Sequence, residues 1–171
     1  MASERTFEEL FEASSSSAVH LEMRDGYMLD DPSYLAWLED RRLDLDDPES
    51  QEWRTLVRSA VDRGVEVRRA RIVSEPVSDY IRFEHEITAP HNVKAGEQVR
   101  WLPRRLATDL ALPGNDFWIF DDRLALINHF SGDGDWADTE TVTDPAVVKL
   151  CSDAFAAVWE RAVPHEDYHP A

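Results

Sequence analysis

Hydrophobic residues recur along this chain with two periods, and the switches between them mark out alternating helices and strands. Phe7, Leu10 and Phe11 share one face behind Thr6, and Glu9 completes a capping box, so a short helix is predicted through Ala13. Ser14–Ser17 is a connector. Val19, Leu21 and Met23 then alternate with His20, Glu22 and Arg24, the period of a half-buried strand. Asp31-Pro32 reads as N-cap and first turn of a helix carrying Tyr34, Leu35, Trp37 and Leu38. After the acidic connector Asp44, Asp46, Asp47, the same signal returns at Asp47-Pro48. Trp53, Leu56, Val57, Ala60 and Val61 follow at helical spacing, and Gly64 is a C′ stop. The strand Val65–Val73 comes next; its phase slips near Arg68-Arg69, which predicts a bulge or two partly covered faces. Val77, Tyr80, Ile81 and Ile87 place a loose helix over 77–92, with a strand over Tyr80–Ile87 as the competing reading.

The stretch Gly96–Gly134 is the heart of a sheet. Its apolar runs are Val99–Leu102, Phe117–Phe120 and Leu124–Phe130, the last two joined by the hairpin turn Asp121-Asp122-Arg123. It ends in the polar loop Ser131–Asp135. Asp144-Pro145 starts a final helix with the stripe Val148, Cys151, Phe155, Val158, Trp159 and Ala162, stopped by Pro164. The expected fold is α/β, a mixed sheet of about five strands with helices packed on it. One domain over 1–171 is expected: an N-terminal helix, strand and helix (1–47), an α/β core (48–164) and a frayed polar tail (165–171). Trp53 and Trp159, on their helices' apolar stripes, are expected to be mostly buried.

Composition narrows the class. At 43% hydrophobic residues with 6 Trp, the chain is not disordered. No apolar run approaches the ~20 residues of a membrane span, the opening MASERTFEEL is acidic rather than a signal peptide, and Cys151 is alone, so a cytoplasmic protein without membrane contact is expected. The net charge of −17 repels phosphate backbones, so no direct nucleic-acid contact is expected. The acid surplus serves solubility or covers a basic protein partner, and an acidic DNA mimic is an alternative.

Candidate chemistry is sparse. Rossmann, P-loop and Gly-x-Ser-x-Gly fingerprints are absent, and the six histidines have no metal-ligand spacing, so no cofactor or metal is expected. Ser131–Asp135 lacks the bidentate Glu of a calcium loop. Arginines cluster at Arg68, Arg69, Arg71, Arg82, Arg100, Arg104 and Arg105. Arg104 and Arg105 follow a strand's carboxyl end, where open α/β sheets bind ligands. With Asn128, His129, Ser131 and Asp133 they form the candidate site for a small anionic ligand, on a rim made by Ser74–Pro76, Pro103–Arg105, Gly114–Asp116 and Asn128–Asp133. The competing reading is internal salt bridging. An enzyme using His129 with Asp133 or Glu84 is the alternative to a binding role.

The phrases SAVHLEMRD (17–25), RGVEVRRARIVSEPVSDYIRFEHE (63–86), AGEQVRWLPRR (95–105), LPGNDFWIFDD (112–122), NHFSGDG (128–134) and FAAVWERAVPHEDY (155–168) resemble an actinobacterial family of unassigned function, often encoded beside XRE-type helix-turn-helix regulators. The order of elements, with the GVEVR and VRWLP strands, the FWIFDD hairpin and the FAAVWERAVP helix, also resembles half of a phospholipase-D-like domain. Active members carry His-x-Lys-x4-Asp on that hairpin. Here Asn115, Phe117 and Asp122 fall at those positions, and only Asp122 matches. Together the resemblances imply a non-enzymatic regulatory or interaction module with a protein partner, a helix-turn-helix regulator.

Overall fold

In a computed structural model of the protein, residues 5–171 are described; the first four residues of the acidic opening lie outside them. Helix α1 (Phe7–Ala13) carries the expected box: Thr6 Oγ1 accepts from Glu9 N and Glu9 accepts from Thr6 N. Strand β1 (Ser17–Glu22) follows, then helices α2 (Pro32–Asp40) and α3 (Pro48–Asp62), each opened by an aspartate N-cap and a first-turn proline. Gly64 closes α3 with φ +89°, a backbone angle that favours glycine. Strand β2 (Glu66–Val73), helix α4 (Asp79–Thr88) with a π-turn at Ala89–Val93, and strand β3 (Gln98–Pro103) come next. Strands β4 (Phe117–Phe120), β5 (Leu124–Phe130) and β6 (Trp136–Val142), helix α5 (Pro145–Arg161) and the short strand β7 (Val163–Pro164) complete the chain. The segment 77–92 is therefore helix, not strand.

The fold is mixed α/β. One sheet of seven strands, not about five, runs in the order β6-β5-β4-β1-β2-β3-β7. Strands β1, β2 and β3 are parallel because helical crossovers connect them; the others pair antiparallel. The β4–β5 turn places Asp121 and Asp122 both at φ 53°, the primed geometry that matches strand twist. Asp121 also accepts from the backbone N–H of Ser15, Ser16 and Ser17 at 2.7–3.1 Å, tying the turn to the start of β1. Partial burial alone would raise its carboxyl, but those amides hold it down at about 2.

One face of the sheet is covered by α5, whose Val148, Cys151, Phe155 and Val158 pack on Val19, Leu21, Ile72, Phe117 and Ile119. On the other face α1 and α3 cover Ala18, Val67, Phe120 and Leu126, while α2 and α4 cover Val99 and Trp101. These two apolar clusters do not merge, and the sheet between them is polar.

One further expectation is corrected and two are refined. Strand β2 has no bulge: its register with β1 is continuous, and the phase slip reflects two covered faces, Arg69 and Arg71 on one and Ala70 and Ile72 on the other. Trp53 and Trp159 are mostly buried but stop short of the core, because each stands at the margin of its helix stripe beside guanidiniums, Arg69 at 5.6 Å and Arg100 at 4.4 Å. The tail is not frayed: Tyr168 is 5% exposed and stacks on Trp101 at 5.4 Å, and Trp101 Nε1 donates to His165 Nδ1. Among the described residues no helix is long and apolar enough to cross a membrane.

Candidate functional site

The polar strip between the two apolar clusters is the floor of a cleft of about 1060 Å³. Alternation along β1 points His20 and Glu22 to this face, and alternation along β2 does the same for Arg69 and Arg71. The register pairs His20 with Arg69 and Glu22 with Arg71, so the Glu22 carboxylate sits among basic groups at the sheet's centre. The Glu22 carboxylate accepts from Arg71 Nε at 2.7 Å, from an Arg69 terminal nitrogen, and faces His20 Nε2 at 3.2 Å. The other ring nitrogen of His20 meets the Phe117 carbonyl at 2.8 Å, and the ring stacks on Trp118 at 4.3 Å. With a partner at each nitrogen, the ring is fixed in place from both sides. Burial alone would raise the Glu22 carboxyl, but Arg71, Arg69 and His20 outweigh it and hold it well below the usual carboxylate range.

The other walls complete the network. Arg69 Nε donates to Glu97 at 2.6 Å, and Glu97 accepts from Asn92 at 2.7 Å. Arg71 donates to Thr88 Oγ1 at 2.6 Å and pairs with Glu84 at 2.5 Å, both on α4. Glu84 differs from Glu22: burial raises its carboxyl and the neighbouring Glu22 adds to this, with Arg71 opposing. Tyr80, one turn before Glu84 on α4, is likewise raised by burial and by both glutamates. Asp116, 4% exposed just before β4, accepts from Met23 N at 2.9 Å and from the Tyr27 hydroxyl, and burial raises it. His91, in the π-turn, is pushed down to about 4 by burial and then by Arg69, and its buried Nδ1 has no partner. The walls also carry Phe7, Trp53, Trp118 and Phe130, so the cleft offers aromatic surface with acids. Among the described residues no group of three or more His, Cys, Asp or Glu is placed to hold a metal ion.

The residues singled out from sequence are divided by this geometry. Arg104 stands at the rim where β1, β2 and β3 end, but its guanidinium donates to the carbonyls of Met23 and Ile72 and to Ser74 Oγ, and lies 3.6 Å from Asp25. It clamps three loops together. Arg105 is exposed. Asn128 lines the cleft, and its backbone N–H donates to the Asp116 carbonyl at 2.9 Å. His129, one residue on, belongs to the face of Ala125 and Ile127 under α5 and meets Glu140 at 3.2 Å. Ser131 and Asp133 lie in the exposed β5–β6 turn, where Ser131 N donates to the Asp135 carbonyl. Glu84 is in the cleft, on the opposite face from His129, so the structure does not bring His129, Asp133 and Glu84 together. Sequence reading missed His20, Glu22, Arg69, Arg71, Tyr80, Glu97 and Asp116 as a group. The available signal was the opposite charge of the polar phases of two neighbouring strands.

No curated protein matches the chain. Among solved structures it is similar to TrmBL2, described as an archaeal chromatin protein with a novel mode of DNA binding, at 16% identity and a TM-score of 0.49 over 91% of this chain and 48% of that one. The chain thus spans about half the length of that relative. The expectation of no direct nucleic-acid contact, which leaned on a summed charge, stands against a neighbour described as binding DNA and is not carried forward. Screening confines charge effects to about 8–10 Å, so a total of −17 does not describe every patch of surface. A helix-turn-helix regulator as partner has no support here and is not carried forward. The match that spans the chain is with a family described only as a domain of unknown function: over residues 5–170 the protein belongs to DUF6879.

Proposed function

We propose that the protein is a non-enzymatic binding module with a regulatory role, whose cleft takes a small cationic molecule with an apolar or ring-bearing part. The observation that carries this reading is the buried network at the floor of an open cleft. Burying Glu22, Glu84, Asp116, Arg69 and Arg71 costs more than an apolar core of the same volume would. Placed beneath solvent-filled space and aromatic walls, they have a use other than stability. Carboxylates dominate the lining: Glu8, Glu12, Asp31, Asp47, Glu49 and Glu52 on its walls, with Glu22, Glu84 and Asp116 at its floor. Arg69 and Arg71 are already occupied by Glu22, Glu97 and Glu84, which leaves little positive charge to offer an anion.

The phospholipase-D-like half domain remains part of this proposal, supported by the order of strands, hairpin and closing helix. The positions matched to that family's motif make no active centre: Phe117 is fully buried under α5, and Asp122 accepts from Ser152 at 2.9 Å beyond the far end of β4. A cytoplasmic setting belongs to the same proposal, supported by the single free, buried Cys151.

Calorimetric titration with aromatic amines and with their carboxylate counterparts tests the reading. Binding of amines that is lost in Glu84→Gln, with no binding of carboxylates, is expected. Preference for carboxylates would overturn it.

A further inference from the structure

A second groove, of about 770 Å³, runs along the outer side of α3 and has the opposite character. It is lined by Arg54, Arg58, Arg63 and Lys94, and among the described residues Asp46 and Asp62 are the carboxylates of its lining. In a chain with 18 Lys plus Arg against 35 Asp plus Glu, this concentration of cations is unusual. Among the described residues none of the four forms an ion pair, whereas Arg69, Arg71, Arg104 and Arg161 all do.

Each arginine is instead anchored through part of its fork. Arg54 donates to the Leu45 carbonyl at 2.6 Å and Arg58 to the Lys94 carbonyl at 2.7 Å. Arg63 donates to the Phe11 carbonyl at 3.0 Å and to Ser59 Oγ at 3.1 Å. Anchoring to neutral carbonyls fixes each guanidinium without cancelling its charge, and the remaining N–H groups stay available for the oxygens of an anion. Arg54 and Arg58 are one helical turn apart, and from Arg54 to Arg63 the rise along the helix is about 13 Å. One phosphate cannot reach across that distance. A chain of phosphates can.

We infer that the α3 groove binds the phosphodiester backbone of a single nucleic-acid strand through Arg54, Arg58, Arg63 and Lys94. This does not rest on the cleft, which adjoins the groove along Gln51, Thr55 and Ser59 of α3 and selects the opposite charge. The contact reads backbone charge and not base sequence. The surrounding acidic surface keeps it weak and confines the strand to the groove.

Fluorescence anisotropy of a labelled oligothymidylate against the intact protein tests this. Binding at low salt is expected, with log K falling against log salt at a slope of about −3 for four phosphate contacts. The Arg54→Gln, Arg58→Gln double variant should weaken binding about tenfold or more and flatten that slope by about one unit or more. Lys94→Gln, which leaves both carbonyl anchors of α3 intact, should weaken it in the same direction. Arg105→Gln, an exposed arginine elsewhere, should change nothing. Circular dichroism of each variant confirms the fold. Absence of binding at low salt, equal binding by the double variant, an equal loss with Arg105→Gln, or displacement by inorganic phosphate at matched phosphate concentration would each overturn the assignment.

Discussion

Glu22 and Arg71 are partners twice over: their Cα positions are paired in the β1–β2 register, and Arg71 Nε donates to the Glu22 carboxylate at 2.7 Å. Arg71 is only 3% exposed and also serves Glu84 on α4, so one guanidinium joins the sheet to the helix above it. Arg71→Met would leave Glu84 without its guanidinium and Glu22 with Arg69 as its one remaining arginine, and should lower stability by about 3–5 kcal/mol in urea unfolding. Combined with Glu22→Gln, the loss should be smaller than the sum of the two single losses, because each change removes the other's partner.

Acid should unfold the protein in two stages. His91 and His165 are held down at about 4 in the fold, chiefly by burial. The unfolded chain binds protons there from about pH 6.5, so their contribution is present above that pH and is lost as pH falls toward 4. Glu22 and Asp121 are also depressed, which places their loss lower, below about pH 4. Urea midpoints measured against pH should show both stages, and the His91→Gln, His165→Gln double variant should lose the first while keeping the second.

Asp121 combines a positive φ with three backbone amides as donors. Asp121→Ala removes the acceptor and strains the turn, and should cost about 1–3 kcal/mol. Asp121→Asn keeps a left-handed-tolerant residue and one carbonyl acceptor, and should cost less. Thermal melts of the two variants give the order.

Removing the ring of Tyr168 uncovers Trp101 on the outer side of β3. Tyr168→Ala should cost about 3–5 kcal/mol, as expected for a buried aromatic, and should shift the Trp101 signal in near-ultraviolet dichroism. Trp159→Ala, at a partly buried position, should cost clearly less.

The helices were legible because their ends are written in local chemistry: Thr6 with Glu9, the three Asp-Pro starts at 31, 47 and 144, and Gly64. Strands β1 to β5 were legible as apolar runs between turns. Strand β6 was not, since Trp136–Glu140 is exposed throughout, and an edge strand with no buried face carries no alternation to read. Strand β7 is two residues long and exists through its pairing with Arg100 and Trp101. The cleft was hidden for a different reason. The polar phase of a strand normally faces water, so His20, Glu22, Arg69 and Arg71 look like surface until α4 is placed over them. Arg69 and Arg71 were singled out within the arginine cluster, where internal salt bridging was the competing reading, and Glu84 was singled out with His129, which the strand's alternation puts on the opposite face.

The face-to-face contact of His20 with Trp118 makes the cleft its own optical probe. The emission of an indole depends on what stacks against it, so displacement of the His20 ring alters the Trp118 signal. Trp118 forms part of the cleft's lining, so occupancy can be followed by intrinsic emission without a label. Subtracting the signal of Trp118→Phe from that of the unmodified chain isolates this contribution from the other five tryptophans among the 6.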